Sequence, residues 1–193
     1  MKYFISILIM LIVLFAACES DKKSKVNITE VEISDEELIN KGRGIAMNTF
    51  SALSTELQRA MREGGVSNAI QYCNLTALSI TDSLSVFYSA KIKRTSDKVR
   101  NPQNTATDSE LVTLNNYKEQ LENQEVLKPT IKTISGEKVF HAPIILSNMC
   151  LNCHGQKDKI KDYKSIAALY PNDKATGYAA GDLRGIWSVT FKQ

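Results

Sequence analysis

Cys150-Leu151-Asn152-Cys153-His154 narrows this chain more than any other segment, because two of its four cysteines and one of its two histidines fall within five residues. Two residues between the thiols put both on one face of a single helical turn, and the histidine follows directly. That spacing is the attachment signature of a c-type haem: the thiols add across the two vinyl groups and the histidine becomes the proximal iron ligand. A zinc half-site would need two further ligands. Only Cys73 and His141 remain to supply them once Cys18 is assigned elsewhere.

Cys18 is assigned by what precedes it. Lys2 opens a charged segment, positions 3 to 15 are almost wholly apolar, and Ala16-Ala17 place small residues before Cys18. The pattern is that of a secretory signal ending at a lipoprotein cleavage site, so residues 1–17 read as a signal peptide and Cys18 as the lipidated first residue of the mature protein. The apolar run is short for a membrane span of about 20 residues. Covalent haem attachment takes place outside the bacterial cytoplasm. The expected location is therefore the periplasmic side of a membrane, inner or outer, with a lipid anchor in place of a spanning helix.

Residues 18–32, which include Glu19-Ser20-Asp21-Lys22-Lys23-Ser24-Lys25, are polar and lack apolar periodicity, as in a solvated tether. Residues 33–193 remain as a single domain of about 160 residues, enough for a core and a cofactor. The formal charge of +3 includes one positive charge, Lys2, that leaves with the signal peptide. Nothing in this balance points to nucleic-acid binding. Lys157, Lys159, Lys161 and Lys164 read as a solvated face ahead of a docking patch for an acidic partner.

Ser34-Asp35-Glu36-Glu37 predicts a helix start, followed by Leu38, Ile39, Ile45, Ala46, Phe50, Leu53, Leu57 and Met61 at helical spacing. Gly64-Gly65 ends that helix. A second runs from about 67 to 84 with Ala69, Ile70, Cys73, Ala77 and Ile80 on one stripe. A strand over 89–95, a turn at Arg100-Asn101-Pro102, a helix capped by Asp108, and a hairpin over 130–142 followed by Pro143 come next. A helix near 163–169 and a strand over 185–191 complete an α+β domain, an antiparallel sheet covered by helices. Trp187 and Phe191 on the last strand pack against the porphyrin or the core.

Cys73 is then an unpaired thiol in an oxidising compartment. It is either a buried structural cysteine or the second iron ligand. Competing distal ligands are His141, Met47 and Met61. His141, at a strand end, suits a surface or propionate-contacting role equally well, and the methionines fall on core stripes. Met149 is too near the attachment turn to reach the opposite haem face. Arg94 and Arg100 either pair with the haem propionates or close loops onto backbone carbonyls, and Arg184 is a weaker candidate. No Ser/His/Asp arrangement and no phosphate-cradling loop is visible, so an enzyme is not expected.

Arg94-Thr95-Ser96, Arg100-Asn101-Pro102-Gln103-Asn104, Pro143-Ile144, Cys150 to Gly155, Tyr170-Pro171-Asn172-Asp173-Lys174-Ala175 with Gly177-Tyr178, and Gly181-Asp182-Leu183-Arg184-Gly185 together resemble a bacterial family of c-type haem domains, catalogued as a domain of unknown function, over about residues 40–193. The family's domain occurs alone behind a signal peptide or as the sensor part of signalling proteins. The resemblance implies a PAS-like sheet holding one covalent haem c under long N-terminal helices. It also implies that Cys73, in Ala69-Ile70-Gln71-Tyr72-Cys73-Asn74, supplies the second axial ligand as a thiolate. Lys93 and Thr105-Ala106-Thr107 depart from the family pattern without touching an iron ligand. The expected function is membrane-tethered electron transfer or redox sensing with an unidentified redox or signalling partner. The alternative is a haem-based sensor of diatomic gases. The sequence leaves the oligomeric state open.

Overall fold

The computed structural model describes residues 33–192, and the expected signal peptide, lipidation site at Cys18 and tether lie outside them. The first helix begins as expected. Ser34 is the N-cap, its hydroxyl accepts from Glu37 N–H at 3.3 Å, and the Glu37 carboxylate accepts from Ser34 N–H at 3.1 Å. This reciprocal pair satisfies donors that have no partner inside the helix.

Helix α1 (Asp35–Phe87) is one element only by hydrogen-bond bookkeeping. Asn48 Nδ2 donates to Tyr88 Oη at 2.8 Å, although the two are 40 positions apart in sequence. A straight helix would separate them by roughly 60 Å, so the chain doubles back into two arms. The reversal falls at Gly64-Gly65, where Gly65 has φ +65°, a conformation that favours glycine. Asn68 Nδ2 closes the bend by donating to Ala60 O at 2.9 Å.

Behind the hairpin come β1 (Ala90–Thr95), a 3₁₀ turn at Pro102–Asn104, α2 (Asp108–Glu122), β2 (Thr130–Ile134) and β3 (Glu137–Ile145). A 3₁₀ turn at Asn148–Cys150, then α3 (Leu151–His154), α4 (Tyr163–Leu169) and β4 (Leu183–Phe191) follow. The four strands form an antiparallel sheet in the order β1-β4-β3-β2. Side-chain alternation splits its residues between two layers. Ile92, Phe140, Val189 and Phe191 meet Leu38, Ile45 and Leu53 of α1, whereas Ile186 meets Leu114 and Tyr117 of α2. Trp187 belongs to the first layer, with the core. The fold is therefore the expected α+β arrangement. Among the described residues no helix is long and apolar enough to cross a membrane.

Three local expectations change. Thr107, not Asp108, caps α2, because its hydroxyl and the Glu110 carboxylate form a second reciprocal pair. Pro143 lies inside β3 and not after it; pairing to β2 stops at His141, so on that side the strand is an edge, where a missing N–H is tolerated. Met47 and Phe50, read as core, are 64% and 55% exposed. They line a groove of about 210 Å³ whose floor is Phe140, Ala142 and Trp187.

Candidate functional site

The segment from Cys150 to His154 folds as its spacing predicts. Cys150 ends the 3₁₀ turn and Cys153 and His154 follow in the single turn of α3, three and four residues on. Cys73, Cys150 and Cys153 form no disulfide. Cys153 packs against Val66 and Ile70 of the second α1 arm and Ile166 and Tyr170 around α4.

His154 is fixed by its backbone neighbours. Its Nδ1 lies 2.7 Å from Ala175 O. A carbonyl can only accept, so Nδ1 carries the proton and Nε2 keeps its lone pair. Burial first, and then the charges of Arg100 and Arg184, push its pKa down to about 3, which holds the ring neutral. A histidine with one nitrogen anchored to a carbonyl and the other bare is arranged as a metal ligand is.

The surrounding loop is stitched from three distant stretches. Gly177 N–H donates to Gly155 O at 2.8 Å and Tyr178 N–H to His154 O at 3.1 Å. Lys174 N–H donates to Val99 O at 2.9 Å, and Arg184 Nη1 to Lys98 O at 3.0 Å. Arg100 Nη2 donates to Cys153 O at 2.6 Å and to Asp173 Oδ2 at 3.0 Å. Tyr178 stands edge-on to the His154 ring at 6.4 Å, with Lys98 Nζ over its own face at 4.3 Å.

Cys73 joins this group from the second arm of α1. Burial raises its thiol pKa, while Arg94 and, less strongly, Arg100 pull it down, and the Cys153 thiol is near enough to act on it too. Arg94 lines a cavity of about 560 Å³ between that arm and β1, together with Thr81, Ile92, Gln103 and Asn104. Its guanidinium makes no hydrogen bond among the described residues, while its backbone pairs with Trp187 in the sheet. Arg100 differs: its Nη2 joins the Cys153 carbonyl to the Asp173 carboxylate, and its buried Nε–H has no partner among the described residues.

His141 is not the surface residue its position in sequence allowed. It is wholly buried on the α2 side of the sheet, with Nδ1 2.9 Å from Thr113 Oγ1 and Nε2 unpartnered. One residue along β3, Phe140 and Ala142 face α1, so strand alternation turns His141 away from Cys73 and His154. Burial holds its pKa at about 4, against a smaller opposing pull from Glu110; Lys132 and Lys93 add to the lowering. The unfolded chain therefore takes up this proton first, and stability falls as pH drops from about 6.5 to about 4, by on the order of 3 kcal/mol. His141→Gln is expected to flatten that limb in unfolding titrations between pH 7.5 and 5. A limb of unchanged slope would contradict the assignment.

Met47 is exposed, and Met61 packs beside Cys153 and Val66. Lys157, Lys159, Lys161 and Lys164 are exposed, consistent with a solvated face. Among the described residues no three His, Cys, Asp or Glu side chains converge as a metal-ligand group. Sequence reasoning passed over Asp173, Ala175 and Tyr178 as working parts. Asp173 had a local signal, since an aspartate two residues before a small residue can accept that residue's N–H, as Asp173 Oδ1 does from Ala175 at 2.8 Å.

The family model described as "Tll0287-like: Tll0287" matches residues 21–192. In fold the chain is similar to the cyanobacterial haem protein Tll0287, known from its crystal structure. The TM-score is 0.60, with 23% identity over 83% of this chain and 98% of that one. No curated protein matches the chain.

Proposed function

The chain belongs to the Tll0287-like family, and on that premise we propose that it is a c-type haem protein for electron transfer or redox sensing, with His154 and Cys73 as axial ligands. One observation supports this most. Cys73 lies 81 positions before His154 in sequence, yet its thiol shares a half-buried neighbourhood with Cys153, Arg94 and Arg100.

The residues fit the group. Cys150 and Cys153 are free thiols on one turn, His154 keeps a bare nitrogen, and Arg100 Nε–H is a buried donor in need of an acceptor. When bound, the haem supplies an iron that cycles between ferric and ferrous, and an anionic sulfur donor favours the ferric side. The protein's part is to hold and to tune. Ala175 O aligns the His154 ring, Arg94 and Arg100 favour ionised Cys73, and Arg94 offers an unpaired guanidinium to a carboxylate in its cavity.

The same reading moors the domain by lipid at Cys18 on the periplasmic side of a bacterial membrane, through a tether over 18–32. It makes the protein a carrier or sensor that passes its state to a partner protein and performs no turnover of its own. The test is optical. Ferric wild type is expected to be low-spin, and Cys73→Ala to shift the spectrum. Unaltered spectra would remove Cys73 from the iron. Rapid, complete carbon monoxide binding by reduced wild type would replace redox transfer with gas sensing.

A further inference from the structure

We propose that Arg100 and Asp173 act as a positioning pair that sets the strength of the His154–Ala175 hydrogen bond, and through it the reduction potential of the iron; this rests on the haem reading above. The pair holds both polar atoms of one residue. Asp173 Oδ1 accepts from Ala175 N–H at 2.8 Å, while Arg100 Nη2 reaches toward Ala175 O at 3.4 Å, the same oxygen that accepts from His154 Nδ1–H at 2.7 Å. The two partners meet each other at 3.0 Å with side chains 9% and 1% exposed. Ala175 itself is wholly buried, so water does not compete for these atoms.

Arg100 therefore acts on His154 in two ways of one sign. Its guanidinium draws on the carbonyl lone pairs that would otherwise strengthen the Nδ1–H bond, and a stronger bond makes the imidazole a more electron-rich ligand. Its positive charge, little screened in a buried site, also favours the ferrous state, which carries one electron more. Asp173 offsets that charge. The third contact of Arg100 Nη2, to Cys153 O at 2.6 Å, fixes the guanidinium to the attachment turn itself. Charge alone gives the two members opposite influence on the iron, so the hydrogen-bond part is read at the His154 Nδ1 proton itself.

The experiment is potentiometric titration of the haem-loaded protein, with far-UV circular dichroism and the retained haem band as controls for folding. Arg100→Gln is expected to lower the midpoint potential and Asp173→Asn to raise it. Arg100→Lys, which keeps the charge without the fork, is expected to stay closer to wild type. The His154 Nδ1 proton resonance in paramagnetic NMR should move with Arg100→Gln, in step with the potential. If Arg100→Gln folds poorly, Asp173→Asn and Arg100→Lys carry the same contrast. Potentials that do not move, or that move in one direction for both charge changes, would overturn the proposal and leave the pair a loop closure. A wild type without covalent haem would instead remove the haem reading, and this proposal with it.

Discussion

Cys150→Ala combined with Cys153→Ala is expected to abolish covalent pigment: after denaturation in acidified organic solvent all of the haem should part from the polypeptide, whereas wild type retains it. On the proposed reading, coordination through His154 and Cys73 would be lost with the fold, whereas a thioether bond would not. The two thiols sit on one helical turn, and the remaining described cysteine, Cys73, lies on the second arm of α1 outside that turn. Either single substitution leaves one thioether and should weaken retention without erasing it. Haem staining of a denaturing gel reads the result independently of stability. Full retention by the double variant would exclude attachment at this motif.

The largest effect on stability is expected at Gly42→Val. Gly42 faces the sheet from the first arm of α1, and a Cβ there would collide with the ring of Phe140, which is wholly buried and has no room to yield. Overpacking of this kind costs about 1–3 kcal/mol and occasionally more. In a domain of this size that is a fall of roughly 3–12 °C in melting temperature. Gly44→Ala is the matched control. Gly44 is exposed, a Cβ there meets nothing within 4 Å, and the residue lies in the same helix, so a gain of about 0.5–1 kcal/mol is expected. Thermal unfolding of the two variants side by side checks the contrast. Equal melting temperatures would mean that the helix does not approach Phe140 this closely.

Three local signals carried whole by one segment were read correctly, while the equally local Thr107–Glu110 cap was placed one residue late. Ser34 with Glu37, Gly64-Gly65, and the Cys150 to His154 turn are each complete within a few residues, and each appears as expected. What needed the tertiary structure was the choice among partners. Whether His141 faces the layer of Cys73 or the opposite one depends on strand register and on which face α2 covers, and neither is written near position 141. Arg100 was equally suited to a carboxylate or to a carbonyl, and the segment over 173–175 supplies one of each from more than 70 residues away. Met47 and Phe50 have the spacing of core residues, yet the first arm turns them toward a groove at the sheet instead of into it. Helical periodicity defines a face; it does not say how much of that face is covered.

The carbonyl that orients His154 belongs to Ala175, and the strand that closes the sheet comes later still. During synthesis Cys73 and Arg94 therefore emerge long before their partners, and the imidazole has no fixed tautomer until the chain is nearly finished. Closing a contact over about 100 residues costs only modestly more than over 20, but it makes this neighbourhood a late product of folding. A truncation that spared every cysteine and histidine yet stopped short of position 175 would leave the proposed ligands present and unaligned.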